Sequence, residues 1–122
     1  MNHRIKDLKI WIMAKQIAVD VYLLTSNFPS DEKFGLTNQM RRCSVSVASN
    51  IAEGSGRNSN GEFKQFLGIV RGSLYELETQ LIISQEVGLI TELNCNDLLL
   101  KIDELNKMIF SFKEKLITKS NI

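Results

Sequence analysis

The scarcity of residues that interrupt helices limits how this chain can fold more than any other feature. The 122 residues include a single proline, Pro29, and seven glycines, three of which fall between positions 54 and 61. Long segments without such residues favour long helices over the many short strands of an all-β protein. A chain of this length, 43% apolar, can bury one shared core. We therefore expect a single all-α domain covering residues 1–122.

Four segments repeat apolar residues at three- and four-residue steps, as amphipathic helices do. They predict helices over about residues 7–27, 36–53, 60–87 and 91–118. The first should end before Pro29, because a residue that precedes proline is disfavoured in helical geometry. Short connections between long helices make neighbouring helices antiparallel. The predicted architecture is an up-down-up-down antiparallel four-helix bundle.

Turn-forming residues are concentrated at positions 54 to 61, which read G-S-G-R-N-S-N-G. This stretch predicts the connection between the second and third helices. Ser59 followed by Glu62 is typical of a capping box at the start of a helix. Exposed amides at a helix start can attract anions, but the Gly-Lys-Ser/Thr ending of a phosphate-binding loop is missing. We favour a plain connection, with weak anion binding as the alternative.

Charge is distributed unevenly along the chain. The net charge of +1 excludes a globally basic nucleic-acid binder. However, residues 33–75 carry six basic and two acidic side chains, whereas residues 76–100 carry five acidic side chains and no basic one. Basic side chains contact phosphates without reading sequence. The candidate nucleic-acid-binding residues are Arg41, Arg42, Arg57, Lys64 and Arg71. The alternative is that these residues are solvated or form ordinary salt bridges.

A polar ridge runs beside the apolar stripe of the second predicted helix, at the same heptad-like spacing. It consists of Gln39, Arg42, Ser46, Asn50 and Glu53. A matching stripe on the third helix includes Ser73 and Glu76. Buried charges must be paired, so we predict a structural network in which Arg41 or Arg42 meets Glu53 or Glu76. A ligand-facing site and a solvated surface are the alternatives.

Residues that would support metal or nucleophilic chemistry are few. The only histidine is His3, which precedes the first predicted helix, so neither a di-iron site nor catalysis by a nucleophile and a histidine is expected. We expect no metal, cofactor or catalytic residue. Cys43 and Cys95 are far apart in the sequence and no second pair accompanies them. We therefore expect both to be reduced thiols. The N-terminus lacks a signal-peptide pattern and no apolar run approaches about 20 residues, so we expect a cytoplasmic protein without membrane contact.

The block G-L-T-N-Q-M-R-R-C-S-V-S-V-A-S-N-I-A-E-G-S-G-R, at residues 35–57, has a recognisable pattern. E-F-K-Q-F-L and R-G-S-L-Y-E-L-E-T-Q-L follow it. Together they resemble the bacterial four-helix bundle proteins encoded in intervening sequences of 23S ribosomal RNA genes, over about residues 6–117. The positions that match the family pattern are Gln39, Arg41, Arg42, Ser46, Asn50, Glu53, Gly54, Arg57, Ser73 and Glu76.

This resemblance implies a four-helix bundle that assembles into a homopentameric ring. It also implies kinship with the accessory protein of diversity-generating retroelements, a similar bundle whose basic surface engages nucleic acid and a reverse transcriptase. We therefore expect a non-enzymatic homo-oligomer that binds RNA or DNA without sequence preference. The alternative is a structural scaffold that binds a protein partner and no nucleic acid.

Overall fold

Four long helices make up most of the protein, as seen in a computed structural model that describes residues 4–116. They are α1 (Lys9–Thr25), α2 (Leu36–Ser55), α3 (Asn60–Glu86) and α4 (Glu92–Lys115). Single turns of 3-10 helix at Ile5–Asp7 and Ser30–Glu32 precede α1 and α2. No strand occurs between residues 4 and 116. The prediction of an all-α protein with four helices is confirmed.

Each helix packs against its neighbours in the chain, and α1 also packs against α4. The apolar stripes meet in one core, which includes Ile17 and Val21 of α1, Met40 and Val47 of α2, Leu67 and Leu74 of α3, and Ile102 and Leu105 of α4. An ion pair of 2.6 Å between the Lys101 amino group and Asp20 adds a contact from α4 to α1. The helices thus surround the core in the order α1, α2, α3, α4.

Helix α2 packs extensively against α3, and Gly54 allows a close approach at one point. A Cβ atom placed on Gly54, near the end of α2, would lie 2.7 Å from the Phe66 Cβ near the start of α3. At the other end of this pair, the Ser84 hydroxyl approaches the Met40 sulfur at 3.5 Å. The end of α2 therefore lies against the start of α3, and the start of α2 against the end of α3.

The observed helix bounds differ from the predicted ones by a few residues at the ends. α1 begins at Lys9, two residues later than predicted, because Leu8 has extended backbone angles. α2 continues to Ser55, where the Ser55 hydroxyl donates to the Ala52 carbonyl at 2.8 Å. α4 ends at Lys115, and Leu116 is extended. Positions 117 and 118 of the predicted fourth helix, like His3, lie outside the described residues.

Side chains cap the starts of the two longest helices. The Glu62 amide donates to the Ser59 hydroxyl at 3.2 Å, as the predicted capping box requires. The Asn94 amide donates to the Thr91 hydroxyl at 3.1 Å in the same way. Such bonds satisfy amides that have no partner within the helix. Within residues 4–116, every helix is too short or too polar to cross a membrane.

Candidate nucleic-acid interface

Arg41 lies on the side of α2 that faces α1. Its Nε donates to the Thr25 hydroxyl at 2.9 Å, and its guanidinium group stacks over the Tyr22 ring at 4.7 Å. Thr25 is itself buried, and its hydroxyl donates to the Val21 carbonyl at 2.7 Å. These contacts hold the Arg41 side chain against the first helix.

The other four basic candidates lie on different parts of the surface. Arg42 lines the groove between α2 and α3, whereas Arg71 lines the groove between α3 and α4. Arg57 lies in the connection between α2 and α3 and stacks over the Phe66 ring at 4.8 Å. Lys64 lies one turn into α3 and is half-buried. One copy of the chain therefore does not gather the five residues into a single patch.

None of these five side chains is neutralised by an acid in the part of the chain that the structure describes. The ion pairs found there join Arg4 to Asp7, Lys101 to Asp20, and Lys107 to Asp103. In particular, no ion pair joins Arg41 or Arg42 to a glutamate.

The polar ridge is joined by hydrogen bonds over part of its length. The Ser46 and Ser73 hydroxyls lie 3.4 Å apart across the interface between α2 and α3. The Asn50 amide donates to the Ser46 hydroxyl at 3.0 Å. Gln39 and Glu53, the outer members of the ridge, are exposed. The structure thus brings two of the ridge residues, Ser46 and Asn50, together with Ser73 of α3.

Arg42 and Glu76 line the same groove between α2 and α3, with Gln39, Ser46, Ser73 and Gln80. The floor of this groove is Cys43, whose thiol donates to the Ser73 carbonyl at 3.0 Å. Burial raises the pKa of Cys43 to about 12, with a further increase from the charge and hydrogen-bonding carboxylate of Glu76. The thiol is therefore neutral near pH 7 and is a poor nucleophile.

The surface between α1 and α2 is apolar and open. We call it the α1–α2 face and define it by its apolar members, Ala18, Val19, Tyr22, Leu23, Val45 and Ala48. Val19, Tyr22, Leu23 and Val45 are exposed. Tyr22 is therefore exposed although it is aromatic, whereas the polar Thr25 in the same part of α1 is buried.

The groove between α3 and α4 holds basic residues that sequence reasoning did not select. Lys107 and Lys113 of α4 lie there beside Arg71 of α3, together with Tyr75 and Phe110. The two lysines fall outside the basic segment at residues 33–75, and they belong to a helix that also carries acids. Only the packing of α4 against α3 brings them next to Arg71.

Metal-binding side chains do not converge in the described part of the protein. From residue 4 to residue 116, no group of three or more histidine, cysteine, aspartate or glutamate side chains is placed to hold an ion. Both cysteines are buried and unpaired.

These observations define the class of protein: an all-helical four-helix bundle with dispersed, unneutralised arginines and an open apolar face. The chain belongs to the 23S rRNA-intervening sequence protein family, whose model matches residues 6–111. Its fold is similar to that of a Bacteroides thetaiotaomicron VPI-5482 protein of unknown function from the S23 ribosomal protein family. The TM-score is 0.77 at 22% identity, over 87% of this chain and 99% of that one. Among curated proteins, no match was found.

Proposed function

We propose that this chain is an up-down antiparallel four-helix bundle that assembles with copies of itself and binds RNA or DNA in the cytoplasm. In this proposal the protein is not an enzyme, and binding through phosphates is indifferent to sequence. Kinship with the accessory protein of diversity-generating retroelements, which the family resemblance implies, is part of the same proposal. The α1–α2 face is the observation that supports assembly most directly.

The α1–α2 face has the composition of a protein–protein interface. Its exposed valines, leucine and tyrosine line one groove, and contiguous exposed apolar residues are a feature of protein interaction sites. Aromatic residues are enriched in the cores of protein interfaces, and Tyr22 is held in place by the stacked Arg41. A second copy of the chain is the occupant we propose.

A ring requires two different surfaces of each copy to meet around a closed rotation. The α1–α2 face is one such surface, and the exposed isoleucines of α3 in the next copy supply the other. The family resemblance favours five copies. A protein partner on the same face is the alternative function.

The test of assembly compares two leucines of matched exposure. Leu23, in the α1–α2 face, is 65% exposed, and Leu100, in α4, is 69% exposed. We expect Leu23→Glu to reduce the oligomer to a monomer in light scattering, because a charge would be buried without a partner. Leu100→Glu should leave the mass unchanged. A monomeric wild-type protein at micromolar concentration would contradict the assembly proposal and favour a different protein on this face.

Nucleic-acid binding is supported by the charge of the basic candidates. No ion pair within residues 4–116 involves Arg42, Arg57 or Lys64. Unpaired cations near a surface attract a polyanion and release its counterions. Repetition of these residues around an assembly would multiply the contacts to a single strand.

The test of nucleic-acid binding is a titration of labelled RNA and DNA at several salt concentrations. We expect affinity to fall steeply as salt rises. The variant Arg42→Glu/Arg57→Glu/Lys64→Glu should bind far more weakly than the wild type, whereas Lys6→Glu, outside the set, should change little. Arg41 is left intact because it is bonded to Thr25. An absence of binding at low salt would favour the scaffold function.

A further inference from the structure

The groove between α3 and α4 has a strongly positive lining. Its lining includes three bases, Arg71, Lys107 and Lys113, and no acid. By contrast, the groove between α2 and α3 contains Glu76, and that between α1 and α4 contains Asp20 and Asp97. The α3–α4 groove is therefore the one of these three with a purely positive lining.

Two aromatic side chains lie among these bases and remain open to solvent. Tyr75 is 51% exposed and Phe110 is 63% exposed. Arg71 stacks over the Tyr75 ring at 5.7 Å, whereas Phe110 makes no ring or cation contact with another described residue. The groove encloses about 370 Å³, which is in the size range of small-ligand sites. An exposed aromatic ring in a basic groove is a surface on which a nucleobase can stack.

The arrangement of charge and rings distinguishes one class of ligand. A duplex presents its phosphates outward and keeps its bases stacked on each other, so it would use the three cations and leave the rings without partners. A single strand has free bases, and proteins that bind it combine a cationic groove with aromatic stacking. An acidic peptide would satisfy the cations, but it would not require two exposed rings beside them.

We propose that the α3–α4 groove binds single-stranded nucleic acid, with a base stacked on Phe110 and phosphates held by Arg71, Lys107 and Lys113. This inference rests on the nucleic-acid part of the proposed function and assigns it a site. Lys107 now pairs with Asp103 at 3.1 Å, and both side chains are largely exposed. Because such exposed pairs are weak, a phosphate can replace the aspartate. Stacking tolerates any base, so the site adds affinity without sequence preference.

The test exchanges phenylalanines inside and outside the groove. Phe110→Ala removes the stacking surface and leaves every charge in place. Phe34→Ala is the matched control, since Phe34 is 86% exposed and lies in the connection between α1 and α2. Labelled oligouridylate, oligothymidylate and a duplex of the same length are titrated with each protein by fluorescence anisotropy. Circular dichroism and light scattering verify that both variants keep their fold and mass.

We expect Phe110→Ala to weaken binding of the single strands roughly ten-fold or more and to leave duplex binding unchanged. Phe110→Trp should restore the affinity, and Phe34→Ala should behave as the wild type. On irradiation, a strand that contains bromouridine should crosslink to the peptide that contains Phe110 or Tyr75. This readout does not depend on the stability of any variant.

Failure of the site and failure of the proposed function give different results. If the wild type binds neither single strands nor duplex at low salt, nucleic-acid binding itself is refuted. If it binds but Phe110→Ala matches Phe34→Ala, or if crosslinks map only to other helices, the α3–α4 site is refuted and general phosphate binding stands. Preference for the duplex over the single strand would also refute the site.

Discussion

At the scale of single residues, Gly54 illustrates how one missing side chain sets a helix contact. An added Cβ atom would lie 2.7 Å from the Phe66 Cβ and 2.9 Å from the Phe63 Cδ1. Both distances are shorter than real carbon contacts, and the first atom belongs to the rigid base of its side chain. The approach of α2 to α3 at this point therefore depends on glycine.

We predict that Gly54→Ala lowers the free energy of unfolding by about 1–3 kcal/mol, because overpacking forces the two helices apart. Gly68→Ala is the matched control, since an added Cβ there meets nothing within 4 Å. It should raise stability by roughly 0.5–1 kcal/mol through helix propensity. Urea denaturation of both variants at one protein concentration measures the difference. Equal effects of the two substitutions would show that α3 can move away at no cost.

Glu76 of α3 influences the pKa of Cys43 in α2, and this influence can be measured. Burial first, and then Glu76, raises the pKa of Cys43 from its usual value of 9.0 to about 12. The folded protein therefore holds the thiol proton more tightly than the unfolded chain does. Ionisation of this thiol in the unfolded chain lowers the free energy of unfolding progressively as the pH rises from about 9 toward 12. The effect is absent at neutral pH.

We predict that Glu76→Gln lowers the pKa of Cys43, because the negative charge beside the thiol is removed. The rate of alkylation of Cys43 by iodoacetamide should then rise at a lower pH than in the wild type. Mass spectrometry of peptides separates Cys43 from Cys95, and Glu86→Gln at the end of α3 serves as the control. An unchanged pH profile in Glu76→Gln would mean that burial alone controls the thiol.

At the scale of elements, the start of α4 depends on a side-chain cap. The Thr91 hydroxyl accepts from the Asn94 amide at 3.1 Å, and Leu116 at the other end of the helix is already extended. α4 supplies both Phe110 and Lys107 to the α3–α4 groove. The stability of its first turn therefore bears on the helix that carries Phe110 and two of the three bases of the proposed site.

We predict that Thr91→Ala destabilises the protein by roughly 0.5–2 kcal/mol, the usual effect of losing such a cap. The same substitution at Thr79 is the control. The Thr79 hydroxyl donates to the Tyr75 carbonyl within α3, and alanine is a better helix former there. Thermal unfolding followed by circular dichroism compares the two. A loss at Thr79 as large as that at Thr91 would rule out a special contribution of the cap.

At the scale of the whole molecule, the dispersal of the basic side chains means that the proposed nucleic-acid binding would depend on the proposed assembly. Arg41 faces α1, Arg42 lies between α2 and α3, and Arg71 lies between α3 and α4. One copy presents few of them to the same strand. Several copies around a symmetry axis would present equivalent residues to one polyanion, and linked contacts raise the effective affinity.

We predict that Leu23→Glu weakens nucleic-acid binding as well as assembly, although Leu23 carries no charge and is not among the basic candidates. The loss should be at least ten-fold for a long strand and small for a strand that spans only one site, because avidity requires a ligand that reaches several copies. Anisotropy titrations with the two lengths measure this. Equal losses for both lengths would indicate that assembly and binding are coupled in some other way.

Local pattern was sufficient for the elements and for most of the core. Apolar spacing of three and four residues predicted the four helices, and the stripe with Met40, Val47 and Ile51 is buried. The Ser59 cap was predicted from two residues three positions apart and is present. These features depend on interactions between residues within a few turns, so the order of amino acids alone determines them.

Only the tertiary structure decided which side chains share a surface. It directs Arg41 and Arg42, neighbours in sequence, toward different helices, and it joins Lys107 and Phe110 of α4 to Arg71 of α3. It also leaves Tyr22 outside while burying Thr25. The physical reason is that a periodic stripe fixes which side of a helix is apolar, whereas the rotation and approach of two helices depend on how particular side chains interlock. At the contact between Gly54 and Phe66, that interlocking is set by residues twelve positions apart, beyond the reach of any local pattern.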